Sequence, residues 1–123
     1  MIEKELTEQI IGAAIEVHKH WGPGLYEDIY DKSLRCELGL GDIAYESQVE
    51  LPLVYKDEKV GDSLRLDLFV EKTVVVEIKT VAELSPVHEA QLLTYMKLTS
   101  AKVGLLINFN VPVLAKGVRR FVL

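Results

Sequence analysis

The sequence predicts an α/β fold, and three observations carry that prediction. Residues 3–20 and 25–38 have helical periodicity. Residues 64–70 and 73–79 alternate as two strands about a tight reversal. A helix with a clear start over 86–100 leads into the unbroken apolar run Val103–Ile107. Side chains return to one face every three to four residues in a helix and every second residue in a strand. Helices first, then antiparallel strands, then a strand–helix–strand unit is the order of a mixed sheet flanked by helices.

In the first helix Ile11, Ile15 and His18 form one stripe, and Ile10, Ala14, Val17 and Trp21 form its neighbour. Gly22-Pro23-Gly24 then breaks the chain. His18 and His20 stand close enough to this break to be ligands, but packing or solvation is the stronger reading for both. The second helix ends at Gly39 or Gly41 and turns Glu27, Tyr30, Leu34 and Leu38 toward the core. A carboxylate heading an apolar and aromatic stripe is unusual, because glutamate is seldom buried unpaired. Glu27 either caps the first turn, where the helix dipole favours it, or reaches toward a cation; the residues alone favour the cap.

Ile43 to Tyr55 reads as strand, with Val49, Leu51, Leu53 and Tyr55 alternating against Glu50, Pro52 and Val54. Pro52 demands an edge strand or a bulge. Lys56–Lys59 is a polar turn, Val60 begins a short strand, and Gly61-Asp62 breaks it. Ser85 at the N-cap and Pro86 at the first helical position start the third helix. There Ala90, Leu93 and Met96/Lys97 lie along one side, and His88, Gln91 and Tyr95 along another that is polar without charge. Val103–Ile107 suits a strand buried on both faces, so 73–79, 86–100 and 103–109 form a βαβ unit with a right-handed crossover. Gly117 precedes a last edge strand, Val118 to Leu123.

The central hairpin carries the chemistry. In its first strand Leu64, Leu66, Leu68 and Val70 share one face, and Arg65, Asp67 and Phe69 the other. In its second, Glu77 and Lys79 point away from the Val74, Val76 and Ile78 face. Cross-strand partners have residue numbers of constant sum. A three-residue loop, Glu71-Lys72-Thr73, pairs Val70 with Val74 and sets Asp67 opposite Glu77. A two-residue loop would set Asp67 against Val76, on the wrong face. The three-residue loop is expected, although it lacks the usual Gly or Asn. Two carboxylates then face each other at roughly 5 Å, which is destabilising alone. A divalent cation between them turns repulsion into binding. Lys79 beside such a site would orient or deprotonate a water, or hold a phosphate oxygen. The chemistry implied is metal-assisted attack of water on a phosphodiester, set against the plain alternative of a solvated strand face.

The 123 residues make one domain, 1–123, with room for a real core. No apolar run approaches the ~20 residues that span a bilayer, and the start, MIEKELTEQ, lacks the pattern of a signal peptide. One cysteine, Cys36, excludes an internal disulfide and a Cys-based zinc cluster. These features predict a cytoplasmic protein. With 14 basic against 19 acidic residues the net charge is −5, which argues against a dedicated duplex binder but not against a nuclease whose carboxylates are neutralised by metal. The nearest basic patch, Lys116, Arg119 and Arg120, reads as a solvated edge face. There is no Gly-rich phosphate loop, no zinc spacing and no locally supported Ser-His-Asp set.

The ordered series Ile11–His18, Gly24-Leu25-Tyr26-Glu27-Asp28-Ile29-Tyr30, Asp67, Glu77-Ile78-Lys79, Val87–Tyr95 and Gly104–Phe109 resembles the GxxExxY family, grouped within the PD-(D/E)XK nuclease superfamily. The resemblance covers nearly the whole chain; each motif is weak alone and the series is strong. It implies a restriction-endonuclease-like αβββαβ core and a Mg²⁺- or Mn²⁺-dependent nuclease acting on nucleic acid, DNA in the first instance. It implies that Asp67 is the main metal ligand, with Glu77, the carbonyl of Ile78 and Glu27 assisting. It further implies that Lys79 activates water and that Gln91 supports the site or touches phosphate. Tyr30, Arg65, His88 and Tyr95 are candidates to line the site. The superfamily's proline before the aspartate is absent here, where the sequence is Arg65-Leu66-Asp67. Two rivals remain: a non-catalytic nucleic-acid- or protein-binding module on the same fold, suggested by the acidic charge, and a nuclease subunit completed by a partner chain or a second copy, suggested by the short length.

Overall fold

The computed structural model describes residues 3–123. Two helices come first, α1 (Lys4–Trp21) and α2 (Glu27–Leu40). A five-stranded sheet follows in the order β1-β4-β5-β6-β7, made of β1 (Tyr45–Leu51), β4 (Leu64–Val70), β5 (Val74–Lys79), β6 (Val103–Asn108) and β7 (Val118–Val122). β2 (Val54–Tyr55) and β3 (Glu58–Lys59) form a separate two-stranded ribbon between β1 and β4. Helix α3 (Pro86–Thr99) joins β5 to β6, which run parallel, while the other neighbours are antiparallel. This is the expected mixed sheet flanked by helices.

The helices form where the apolar spacing requires. Ile10, Ala14 and Val17 of α1 and Tyr30, Leu34 and Leu38 of α2 are buried against Leu68, Val70, Val74, Val76, Ile78, Leu105 and Ile107 on one sheet face. Leu92, Tyr95 and Met96 of α3 bury the other face with Val75 and Leu106. The buried stripe of α3 runs through Leu92, Tyr95 and Met96; of the expected Ala90, Leu93 and Met96/Lys97 side, Met96 is buried and Leu93 packs partly buried against the same core. Because β5 and β6 are covered on both faces, they are apolar almost without interruption, and this is what their sequences read. Pro52 ends β1, an edge strand, as expected. Strand does not continue to Tyr55 within the main sheet; Val54 and Tyr55 pair with Lys59 and Glu58 instead.

The reversal between β4 and β5 has the predicted three residues, with Val70 opposite Val74, Phe69 opposite Val75 and Leu68 opposite Val76. Glu71 and Lys72 supply the positive φ that Gly or Asn would normally provide, 52° and 50°. The predicted face sharing within β4 fails. Leu68 and Val70 pack under α1 and α2, whereas Leu66 packs under α3 with Leu51 and Val75. β1 switches as well, since Tyr45 packs on the first side and Val49 on the second. The ladder between β1 and β4 skips the step at Gln48 and Asp67, and Gln48 has φ 53°. A left-handed residue interrupts period-two alternation, so both strands cross from one core to the other at this point. Asp67 stands at the crossing.

No helix among the described residues is long and apolar enough to cross a membrane.

Candidate active site

The site lies where β4 and β5 part. Beyond Leu68–Val76 the ladder stops, and two side chains take over the backbone donors. The Asp67 amide donates to Glu77 Oε1 at 2.8 Å, and the Ile78 amide donates to Asp67 Oδ2 at 2.8 Å. Each carboxylate thereby spends one oxygen on the neighbouring strand. Among the described residues the second oxygen of each takes no hydrogen bond.

Burial raises the Asp67 carboxyl to about 6, against the pull of the Ile78 amide, with further raising by the charges of Glu27 and Asp31. Burial also raises Glu77, to about 8, and the charge of Asp67 adds to it, outweighing the Asp67 amide and Lys79. Glu27, on the first turn of α2, is raised by burial, lowered by Lys79 and raised by Asp31. Glu27 is thus gathered with Asp67, Glu77 and Lys79 although it is distant in sequence. Among the described residues it makes no capping hydrogen bond, so the cap expected from the residues alone is not formed. Lys79 Nζ lies 3.4 Å from Gln91 Oε1, which links β5 to α3. Tyr95 sits one turn beyond Gln91; burial and the charges of Glu77 and Asp67 raise its phenol.

The other site-lining candidates belong elsewhere. Tyr30 is fully buried, stacks on Phe109 at 4.6 Å, donates to the Gly22 carbonyl and accepts from the Leu25 amide at 3.1 Å. It pins the turn that launches α2 and so sets Glu27 without touching the acids. Arg65 is exposed and pairs with Glu50 at 3.4 Å. Nδ1 of His88 accepts the Ser85 amide at 3.0 Å, taking the glutamate's place in a capping box. Ile78 buries its side chain and enters the site through its amide. His18 is packed, as expected, with Nε2 2.8 Å from the Val111 carbonyl oxygen.

Three residues escaped the sequence reading. Asp31 is buried, one turn along from Glu27, and its spacing of four was the available signal. Gln48 borders the site through its backbone irregularity, for which the sequence has no signal. Asn108, at the end of β6 beside Lys79, is buried. Its Oδ1 accepts the Val81 amide at 3.1 Å and its Nδ2 donates to the Val81 carbonyl at 2.9 Å. It fastens the chain leaving β5.

Whether these residues suit a metal can be judged from the donors. Among the described residues no three His, Cys, Asp or Glu side chains gather into a ready-made cage. The carboxylate pair nevertheless fits a hard divalent cation: oxygen donors only, one free oxygen each, and charge that its surroundings leave under-compensated. Water and substrate oxygens would complete such a shell.

No curated protein matches the sequence. The fold is similar to the crystal structure of SSO0001, with a TM-score of 0.55 and 23% identity over 97% of this chain. The chain spans 57% of the length of that one. The profile of the PD-(D/E)XK nuclease superfamily matches residues 4–121. With the αβββαβ order, the paired acids and the adjoining lysine already in place, that match is decisive: this chain belongs to the PD-(D/E)XK nuclease superfamily.

Proposed function

We propose that the protein is a Mg²⁺- or Mn²⁺-dependent nuclease that hydrolyses phosphodiester bonds in nucleic acid, with DNA the first substrate to test, and that it works in the cytoplasm. The Gly24-x-x-Glu27-x-x-Tyr30 spacing supports placing it in the GxxExxY branch of the superfamily. The observation that carries the reading is the pair of bonds that ties Asp67 to β5, its amide donating to the Glu77 carboxylate and its own carboxylate accepting from the Ile78 amide, which leaves an oxygen of each acid available.

In this reading Asp67 and Glu77 hold the ion, with Glu27 and the Ile78 carbonyl assisting. A bound divalent ion would supply charge stabilisation at the scissile phosphate. Lys79 orients the attacking water, its ammonium donating a hydrogen bond to the water oxygen. Gln91 fixes the Lys79 ammonium. Tyr95 excludes bulk water from the α3 side of the pair.

A cleavage screen on single-stranded, duplex and branched DNA and on RNA, with Mg²⁺ or Mn²⁺, tests the proposal. Metal-dependent cutting that Lys79→Ala lowers by about 10²-fold or more is the expected result. Equal cutting by wild type and Lys79→Ala would sink it.

A second reading is a nuclease subunit whose nucleic-acid surface is completed by a second copy or a partner protein. The net charge of −5 favours it. Light scattering and pull-downs distinguish the two.

A further inference from the structure

The acids are crowded, and a polyanionic substrate must still approach them. Glu27, Asp31, Asp67 and Glu77 face one another's charges, and Lys79 stands on the α3 side with Gln91. On the α2 side a groove of about 430 Å³ runs beside Asp67, bordered also by Gln48, Asp31 and Arg35. Asp31 is only 6% exposed, and its Oδ1 accepts from Arg35 Nε at 2.8 Å. The Arg35 side chain keeps 30% of its surface exposed. Among the described residues nothing takes its Nη1 or Nη2.

A guanidinium held at Nε by a buried carboxylate presents its two terminal nitrogens in a fixed orientation. That fork matches two oxygens of one phosphate. Lys32, the groove's other cation, is exposed and leans on Asp28 at 3.9 Å, so it has no such fixed direction. We infer that Arg35, oriented by Asp31, is a substrate-binding residue that grips a non-scissile phosphate of the nucleic acid in the groove beside Asp67. The inference rests on the nuclease reading and names the contact that would hold the strand on the α2 side. Lys79 then meets the reacting phosphate from the α3 side, and the strand crosses the parting of β4 and β5 between these two cations. Asp31 is a positioning residue in this arrangement. Its charge also offsets that of Arg35, and with Glu27, Asp28 and Asp67 lining the same groove the exposed fork is the donor of fixed direction that it offers a phosphate.

The test uses the full chain, with Lys79→Ala as the background for binding and the otherwise unaltered protein for cleavage. Anisotropy of a fluorescein-labelled DNA oligonucleotide is followed across a salt series in Ca²⁺. Arg35→Gln should weaken binding about tenfold and lower the slope of log affinity against log salt by about one. It should raise KM with kcat little changed. Arg35→Lys keeps a charge next to Asp31 and guards against a folding artefact; it should weaken binding several-fold with an unchanged salt slope, because only the fork is lost. Arg35→Gln that binds as the background does, with the same slope, overturns the inference and leaves the nuclease reading standing. A fall in kcat at constant KM overturns it too. Wild type that neither binds nor cuts any nucleic acid overturns the nuclease reading itself, and this inference with it.

Discussion

Asp67 and Glu77 tie together the two strands that carry them. The Asp67 amide donates to the Glu77 carboxylate and the Asp67 carboxylate accepts from the residue after Glu77, both at 2.8 Å. Side chains thus replace ladder bonds at the point where β4 and β5 separate. The pair is held rigidly by main chain, yet its two acids repel. That tension, and the lysine beside it, govern the response of the protein to metal, to pH and to the loss of Gln91.

Mg²⁺ or Mn²⁺ should raise the melting temperature, because a ligand of the folded state alone stabilises it by mass action. At a hundredfold excess over the dissociation constant the gain is about 2.7 kcal/mol, or on the order of 10 °C for a domain of this size. Asp67→Ala should abolish the rise. Scanning fluorimetry at millimolar metal measures both, and an unchanged melting temperature for wild type counts against the site.

Metal-free protein should lose stability as pH rises. Free aspartate and glutamate titrate near 4, while the fold raises Asp67 to about 6 and Glu77 to about 8. Between these values the folded state binds more protons than the unfolded one, so stability falls with pH. The contribution is intact below about pH 4 and is lost as pH passes through 6 and then 8. Urea midpoints taken with chelator from pH 4 to 9 should decline for wild type. Glu77→Gln should flatten the upper part of the decline, and a wild-type midpoint that climbs through this window contradicts the assignment.

Gln91 should act through Lys79. Gln91→Ala is expected to slow single-turnover cleavage about tenfold, since a poorly placed catalytic group loses part of its effect. The double variant with Lys79→Ala should be no slower than Lys79→Ala alone, because contacting residues are not additive. Full additivity would mean that Gln91 touches substrate independently.

Tyr30→Phe should destabilise the protein by about 1–3 kcal/mol, since the Gly22 carbonyl and the Leu25 amide lose their partner. Denaturant unfolding gives the energy. Faster hydrogen exchange at Leu25, with the Phe109 stack retained, would locate the loss in the turn before Glu27.

The sequence by itself determined the elements and their order, because burial imposes periods that can be read from residue types. Ile10–Val17, Tyr30–Leu38 and Val103–Ile107 each bury the faces their spacing marks. The register of Asp67 against Glu77 followed from a single loop length. Tertiary structure alone decided what lies on each side of that pair. The crossing of β1 and β4 at Gln48 and Asp67 depends on one left-handed backbone angle at a residue type that gives no warning of it. Glu27 has a capping position in one dimension and a place beside Asp67 and Lys79 in three, because Tyr30 sets the angle at which α2 begins. Asp31 and Arg35 read locally as an ordinary helical ion pair. The packing of α2 over the sheet buries the acid and leaves the guanidinium at the groove, and no spacing along one helix encodes what another element will bring against it.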